Sequence, residues 1–361
     1  MIMAGAREAA VKAPPVAVDA HGLDLRAFWY VAAESTALVP GRALARTVLG
    51  EPLVMFRDAA GRPAALEDRC RHRAAPLSRG RVEAGRMRCG YHGWLYANTG
   101  EVVEAPSSGC DGASPGCAAR AFSTSERDGY VYVRPASASA EGIAPFPIPH
   151  LGKPGWGHVR LVHRFRAGVT ECAENFVNVP HTAWVHPVLF RSRRHEQLRV
   201  VVTRRGGTVT ADYHGEGGNL GVATRFLNHR ASLISHRDTF HMPNVTCVEY
   251  AFGPRRRLVI TSQSVPVTPD DTLVYTDLTY DYGAWTRLMR GPVRWLARRI
   301  IAQDQAVLAA QTEVVRRVGE DFMHMPADLI YVWIAAIRHD LERGRDPRRL
   351  PPETREIILC V

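Results

Sequence analysis

The sequence lacks the features that would assign it to a secreted, membrane-spanning or disulfide-stapled class. No uncharged apolar run in its 361 residues approaches the ~20 residues that a membrane-spanning helix needs. The first residues lack the apolar core of a secretion signal. The seven cysteines are an odd, widely scattered set, which favours metal ligands or isolated thiols over disulfides. We therefore expect a soluble, cytoplasmic protein.

The charge balance is basic, but the charge is spread along the chain. Lys and Arg exceed Asp and Glu by 46 − 36 = 10, and nearly all of the cations are arginine. Because these residues are not massed in one arm, we do not expect nucleic-acid binding. Hydrophobic residues make up 46% and charged residues 23%, which is typical of a globular protein, and the length predicts two domains of ~100–200 residues.

Two stretches of different pattern follow a start without periodicity. From about Phe28 to Pro135, short apolar runs alternate with turn residues, which predicts a small antiparallel β domain. The second half places strands between helices, which predicts an α+β domain whose sheet is covered on one face. Its strands are predicted at His158–Val169, at Leu198–Tyr213 with a hairpin at 205–208, and over Ser232–Tyr282. Its helices are predicted around Thr170–His186, Ala284–Gly319 and Pro326–Arg343.

The strongest pattern in the chain is Cys70-Arg-His72 followed by Cys89-Gly-Tyr-His92-Gly-Trp. Each of two turns offers one thiol and one imidazole, so the four side chains can close around one metal cluster. Two thiolates on one iron and two imidazoles on the other are the Rieske [2Fe–2S] arrangement. A tetrahedral zinc accepts the same four ligands, and buried apolar cysteines with surface histidines are the alternative without metal. Zinc fingers pair Cys with Cys and His with His, whereas each turn here mixes them, which favours the cluster.

A second candidate centre lies in Glu-Asn-Phe-Val-Asn-Val-Pro-His181-Thr-Ala-Trp-Val-His186. Two histidines five residues apart do not share one stripe of a straight helix, but flanking prolines allow a short distorted turn that points both inward. A mononuclear iron held by two His and one carboxylate would give a one-electron cluster an acceptor. Asp304, on a predicted amphipathic helix with Val307, Leu308 and Gln311 at helical spacing, is one candidate for the carboxylate. Asp277 and Asp281 are the others.

Together these motifs resemble the oxygenase component of Rieske non-heme iron oxygenases, over about Phe28–Arg343. The Glu-Asn-Phe stretch is more similar to the O-demethylase and phthalate-type branch. The resemblance implies an α+β fold in which an N-terminal antiparallel β Rieske domain precedes a helix-grip catalytic domain, an antiparallel sheet with helices. The predicted boundaries are 1–24 for a loose N-terminal segment, 25–137 for the Rieske domain, 138–156 for a linker and 157–361 for the catalytic domain.

The resemblance also assigns the ligands of both centres. The [2Fe–2S] cluster is held by Cys70, His72, Cys89 and His92, and the mononuclear Fe(II) by His181, His186 and Asp304. Asn175 is expected to support the iron site. Asn178 stands where the family usually has an aspartate that links the two centres, and an uncharged amide makes weaker hydrogen bonds than a carboxylate. The resemblance makes Asn178 the electron-bridge position.

The implied function is that of a terminal oxygenase. It would use O2 and electrons from NAD(P)H, delivered by a flavin reductase with or without a ferredoxin, in a head-to-tail homotrimer. The expected reaction is hydroxylation or oxidative demethylation of a hydrophobic aromatic or polycyclic substrate, sterol-like compounds included. The alternatives are a Rieske electron-transfer protein and a catalytically impaired homologue, which Asn178 would explain.

Two segments bear on the substrate. Apolar residues of 232–250 are predicted to line a cavity with a few polar anchors, although core packing explains them equally well. They are Leu233, Ile234, Phe240, Met242 and Val245, with His236, His241 and Asn244 as the polar residues. The segment from Trp285 to Ile300 mixes aromatic, apolar and basic residues, which is typical of a patch in peripheral contact with a membrane. An intersubunit or reductase-docking surface is the alternative.

Overall fold

A computed structural model describes residues 23–106, 116–135, 143–187, 197–216, 234–253 and 256–360. Most of the predicted loose N-terminal segment, part of the predicted linker, and Leu233 lie outside these residues. Among the residues described, no helix combines the length and the apolar character needed to cross a membrane.

The N-terminal half forms two antiparallel sheets. The first has six strands, in the spatial order β1 (Tyr30–Glu34), β10 (Tyr130–Arg134), β9 (Ala121–Arg127), β4 (Pro63–Glu67), β3 (Glu51–Arg57) and β2 (Leu44–Val48). The second has four, β5 (Arg81–Glu83), β6 (Arg86–Arg88), β7 (Leu95–Tyr96) and β8 (Val102–Glu104). Asp128 and Gly129, both with positive φ, form the two-residue turn between β9 and β10, the geometry that suits a tight hairpin.

The C-terminal half is built on one eight-stranded antiparallel sheet. Its order is β11 (Gly157–Phe165), β17 (Asp271–Asp281), β16 (Arg256–Thr268), β15 (Val245–Phe252), β14 (Ile234–His241), β13 (Thr208–His214), β12 (Gln197–Arg205) and β18 (Glu353–Cys360). The helices are α1 (Val169–Val177), α2 (Thr182–Val185), α3 (Arg290–Val318) and α4 (Leu329–Glu342). Helix α1 packs against β14–β17, α3 against β11, and α4 against β12 and β13. The predicted hairpin joins β12 to β13 at Gly206 and Gly207.

These sheets and helices confirm the predicted fold class, an antiparallel β domain followed by an antiparallel sheet with helices. Two local predictions were wrong, and one strand was not predicted. The helix predicted over Thr170–His186 is two helices, because the chain turns at Asn178–His181 around Pro180. The long helix begins at Arg290, which places Pro292 in the first turn, where backbone N–H groups have no helical partner. Strand β18, which pairs with β12, was not predicted because its short apolar run gave no clear period.

Candidate metal centres

The first centre lies on two loops that each close on themselves. The backbone N–H of Cys70 donates to the carbonyl of Ala75 at 2.8 Å, and the N–H of Ala74 donates back to Cys70 at 2.8 Å. In the second loop, the N–H of Cys89 donates to Trp94 at 2.8 Å. Each pair of Cys and His is therefore held by a tight turn whose shape is set by local backbone hydrogen bonds.

The structure brings the predicted side chains of the two loops together in pairs, His72 with His92 and Cys70 with Cys89. The rings of His72 and His92 lie 4.5 Å apart, edge to face. Cys70 and Cys89 are buried, whereas His92 is exposed. Burial raises the pKa of the Cys89 thiol, and the neighbouring Cys70 raises it further against the lowering effect of backbone N–H groups. The arrangement puts the sulfur donors inside the domain and the imidazoles toward its surface.

Neighbouring side chains orient the ligands. Trp94 stacks on His72, with ring centroids 4.9 Å apart and planes 3° apart. The hydroxyl of Tyr96 lies 3.1 Å from the Cys70 sulfur and accepts the Arg71 N–H at 2.9 Å. Partial burial and the adjacent His92 lower the pKa of His72, which favours the neutral imidazole that binds metal.

Glycines allow the chain at Arg79–Gly80 to lie close to the start of the second loop. A Cβ at Gly80 would collide with the carbonyl oxygen of Arg88, and one at Gly90 would lie 3.0 Å from the carbonyl oxygen of Arg79. Within the described residues, the buried Nδ1 of His72 has no hydrogen-bond partner. Two free thiols, two converging imidazoles and this unpartnered nitrogen fit a [2Fe–2S] cluster.

The second centre is formed by α2 and α3. His181 and His186 flank the four-residue helix α2, and their rings lie 5.4 Å apart at 78°. Asp304 Oδ1 lies 3.0 Å from His186 Nε2 and 3.6 Å from His181 Nε2. One ligand atom from each residue lies within 4.8 Å of the other two. The short helix, bounded by turns, thus points both imidazoles at one carboxylate.

The environment of this centre suits a divalent cation. Burial alone would raise the pKa of Asp304, but the two imidazoles outweigh it and hold the pKa below its usual range. His186 Nδ1 lies 2.9 Å from the amide oxygen of Gln303, which leaves Nε2 for a metal. Buried His186 Nε2 and Asp304 Oδ1 lie 3.0 Å apart without the alignment of a hydrogen bond, and neither has another hydrogen-bond partner within the described residues. Two imidazoles and one carboxylate fit the three-ligand face of a non-heme iron.

Packing selects Asp304 among the three candidate carboxylates. It lies on the buried stripe of α3, which consists of Val293, Ala297, Ile301, Asp304, Leu308 and Thr312 at spacings of three and four residues. The predicted stripe was wrong in two of its members, since Val307 and Gln311 are exposed. Asp277 is fully buried elsewhere, where Tyr130 donates to it at 2.7 Å and Arg160 at 2.8 Å. Asp281 accepts a hydrogen bond from the Gly283 N–H.

An apolar cavity of about 820 Å³ opens beside the second centre. Its walls come from α1, from β15–β17 and from the N-terminal half of α3. They include Asn175, Phe176, Val248, Tyr250, Phe252, Leu258, Ile260, Leu278, Val293, Leu296 and Ile300. Cavities of this size and character hold apolar small molecules. Asn175 is buried at this wall, and its Oδ1 has no partner within the described residues.

The predicted cavity residues were wrong. Within the described residues, none of Ile234, His236, Phe240, His241, Met242, Asn244 and Val245 lines this cavity. Phe240 belongs to the core, and the Asn244 amide donates to the carbonyl of Ser264. On β15, the cavity is lined by alternate residues that begin with Thr246, one residue after the predicted Val245. A strand pattern of nearly continuous apolar residues does not reveal which face meets the cavity.

The structure places Asn178 between Glu174 and His181. The Asn178 Oδ1 accepts the His181 backbone N–H at 3.2 Å, and its Nδ2 donates to the Glu174 carboxylate. Burial raises the pKa of Glu174, although the Asn178 hydrogen bond and the charge of His181 lower it. Glu174 was not predicted as a contact of Asn178, although its position four residues earlier on a predicted helix indicates such a contact.

His236, predicted as a polar anchor of the cavity, is instead the centre of a buried charge cluster. Its Nδ1 lies 3.0 Å from Glu216 and its Nε2 lies 2.8 Å from Asp238. Its ring stacks between Tyr213 and Tyr250 at 4.2 and 4.1 Å. Burial alone would lower the pKa of His236, but the two carboxylates raise it to about 9. The imidazolium thus holds β13, β14 and β15 together.

We expect the stability of the C-terminal domain to fall in mildly alkaline solution. Because the folded pKa of His236 is above 6.5, its contribution is fully present below pH 6.5 and is lost as pH rises through about 9. The loss corresponds to about 3 kcal/mol of unfolding free energy. Urea unfolding at pH values from 6.5 to about 9 measures this loss of unfolding free energy. His236→Gln should flatten the slope, and an unchanged slope in that variant would assign the pH dependence elsewhere.

Two protein families match the chain. Residues 28–122 match the family described as Rieske [2Fe-2S] domain. Residues 165–335 match the family described as vanillate O-demethylase oxygenase C-terminal domain. The first match contains the Cys and His loops of the first centre, and the second contains His181, His186 and Asp304.

Similar proteins carry related names. A putative toluene-4-sulfonate monooxygenase system iron-sulfur subunit from Comamonas testosteroni is 36% identical over 49% of this chain and 50% of its own length. The oxygenase component of dicamba O-demethylase from Stenotrophomonas maltophilia is 26% identical over 79% of this chain and 87% of its own. The chain therefore spans about half the length of the first of these relatives and most of the second.

Solved structures show the same fold. Dicamba monooxygenase bound to 3,6-dichlorosalicylic acid matches with a TM-score of 0.77 at 24% identity, over 89% of this chain and 98% of its own. The matched families, the named relatives and the convergence of the Cys and His loops agree. The chain carries a Rieske [2Fe-2S] domain over residues 28–122, followed by a domain of the vanillate O-demethylase oxygenase C-terminal family over residues 165–335.

Proposed function

We propose that the protein is a terminal oxygenase that hydroxylates or oxidatively demethylates a hydrophobic aromatic or polycyclic substrate. The observation that carries this proposal is the grouping of His181, His186 and Asp304 at the wall of an apolar cavity of about 820 Å³, in a chain that also carries a Rieske domain. When bound, the cluster supplies single electrons and the non-heme iron supplies the place where O2 reacts. The names of the relatives, which include O-demethylases and monooxygenases, support the reaction class.

The residues of the chain would bind the metals, orient the substrate and exclude water from the site. Cys70, His72, Cys89 and His92 would hold the cluster, and His181, His186 and Asp304 would hold the iron on one face. The apolar wall would exclude water and place the substrate beside that face. The unpartnered amide oxygen of Asn175 would accept a hydrogen bond from a polar group at the iron end of the cavity.

We propose that electrons pass between subunits. The cavity lining contains no described residue before Asn175, so the described part of the Rieske domain lines no part of this cavity. The exposed His92 of one subunit would approach Asn178 and His181 of the next in a head-to-tail trimer. A flavin reductase, with or without a ferredoxin, would deliver electrons from NAD(P)H.

The test is turnover with defined components. Iron-loaded protein, a reductase, NADH and a panel of aromatic and polycyclic compounds are incubated under isotopically labelled O2, and products are analysed by mass spectrometry. Substrate-dependent NADH oxidation with label in a product, or release of a methyl group as formaldehyde, supports the proposal. Iron near two atoms per chain, with no product, would instead indicate an electron carrier. Zinc alone would contradict both functions.

The contact between Asn178 and Glu174 gives a prediction for electron transfer. In Asn178→Asp, two carboxylates face each other and share one proton. Glu174 takes up this proton because burial already raises the pKa of its side chain. We expect both metal sites to stay loaded and the single-turnover rate of electron transfer to rise by about 10-fold. Stopped-flow absorbance of the cluster measures this rate.

A matched double variant isolates the effect of the charge. Asn178→Asp combined with Glu174→Gln keeps one carboxylate and moves it to position 178, so it should be at least as fast as the single variant. Rates equal to that of the unmodified protein in both variants would show that this contact does not limit the transfer.

A further inference from the structure

The mouth of the cavity carries exposed apolar side chains. Trp285, Leu288 and Trp295 are 64%, 69% and 61% exposed. Trp285 and Trp295 also line the cavity, so apolar surface continues from its wall to the outside of the protein. Contiguous exposed apolar surface of this kind marks an interaction site.

Exposed arginines alternate with these side chains along the sequence. No acidic residue occurs from position 282 to 303. The segment holds five exposed arginines, Arg287, Arg290, Arg294, Arg298 and Arg299. Within the part of the chain that the structure describes, none of the five forms an ion pair, whereas Arg316, farther along the same helix, pairs with Asp270 at 2.7 Å. We call these five arginines together with Trp285, Leu288 and Trp295 the rim face.

We propose that the rim face docks on the surface of an anionic lipid bilayer and that an apolar substrate enters the cavity from it. Tryptophan is favoured at the boundary between headgroups and acyl chains, and arginines at that depth reach the anionic headgroups. The substrate part of this inference rests on the proposed function, but the docking part does not. A ligand suited to the apolar cavity is one that partitions into lipid.

Charge and geometry favour a bilayer over the other occupants of such a face. A second copy of the chain would bring the same five arginines to the contact, and like charges in a contact are unfavourable. An acidic protein would neutralise the arginines but would cover the opening of the cavity. A bilayer accommodates the tryptophans and the arginines at once and leaves the cavity mouth facing an apolar phase.

The experiment measures binding of the full-length, iron-loaded protein to vesicles. One set contains phosphatidylcholine alone, and the other contains equal amounts of phosphatidylcholine and phosphatidylglycerol. We expect cosedimentation with the anionic set only, weakened by added salt because screening shortens the reach of the charges. Quenching of tryptophan fluorescence by brominated lipid should accompany binding and should decrease in Trp285→Phe/Trp295→Phe.

A charge-reversed variant and a matched control locate the contact. Each basic residue near an anionic surface strengthens binding by a factor of about five, so Arg287→Glu/Arg290→Glu/Arg294→Glu should bind at least about 100-fold more weakly. The control, Arg86→Glu/Arg317→Glu/Arg343→Glu, changes the net charge equally at three exposed arginines outside the rim face. It should bind nearly as the unmodified protein does.

Several results would overturn the proposal. They are equal binding of the two variants, equal binding to both vesicle sets, and no binding by the unmodified protein. If Arg287→Glu/Arg290→Glu/Arg294→Glu forms a smaller oligomer than the unmodified protein in light scattering, a second copy of the chain covers the rim face instead of a bilayer. Vesicle binding needs no reductase and no turnover, so its failure is separate from failure of the oxygenase proposal, which turnover on a dissolved substrate tests.

Discussion

Replacing His186 with alanine is expected to abolish O2-dependent substrate oxidation while the visible absorption of the cluster stays intact. His186 is 1% exposed, and its Nε2 lies 3.0 Å from Asp304 Oδ1, so its loss removes one of three ligands and opens a buried polar space. Iron content should fall from about three to about two atoms per chain. Metal analysis, absorbance and turnover measure the three effects on one sample.

Two further variants make this result specific. Asp304→Asn keeps the shape of the side chain and removes the charge that stabilises a cation, so it should give the same loss of turnover and of iron. His214→Ala removes an exposed histidine of the same domain and should change neither. Turnover retained in His186→Ala would remove this residue from the proposed ligand set. Loss of the cluster absorption as well would indicate misfolding.

Replacing Cys89 with alanine is expected to give the complementary result. Cys89 is 2% exposed and is held in a turn closed by the Trp94 carbonyl, so its replacement removes one of the two buried thiols of the first centre. The visible absorption should disappear, and iron should fall to about one atom per chain. NADH-driven turnover should be abolished because the chain then has no electron store. Electron paramagnetic resonance of the reduced protein measures the cluster directly.

The control for this variant is another cysteine. Cys360→Ser changes an exposed thiol on β18 and should leave iron content and absorption unchanged. A normal cluster signal in Cys89→Ala would contradict the ligand assignment. Loss of all three irons would mean that the two domains do not hold their metals independently, contrary to the separation of the two sites in the chain.

The motif of the first centre could be predicted from sequence because its geometry is local. Each turn is closed by backbone hydrogen bonds within a few residues, as at Cys70 and Ala75, so spacing in the sequence fixes the positions of Cys and His. The antiparallel character of both domains was predictable for a related reason. Short apolar runs separated by turn residues leave few other arrangements.

The carboxylate of the second centre could not be chosen from spacing. Asp277 and Asp304 both stand in regular segments with apolar neighbours, and only packing separates them. Asp277 is paired with Tyr130 and Arg160 between the domains, whereas Asp304 lies on the buried stripe of α3 opposite α2. The same limit applied to the cavity, because the face of β15 that meets α1 depends on the order of strands in the sheet.

The cluster motif, the fold class and the family resemblance could be predicted from the amino-acid sequence alone. These depend on residue types at short separations, where chain geometry leaves little freedom. The folded structure was needed to show which acid faces the two histidines, that Glu174 contacts Asn178, and that Trp285 and Trp295 line an apolar cavity in a segment with five exposed arginines. Such neighbours meet through burial of apolar surface between distant segments, and this energy depends on area and shape, which a linear pattern does not record.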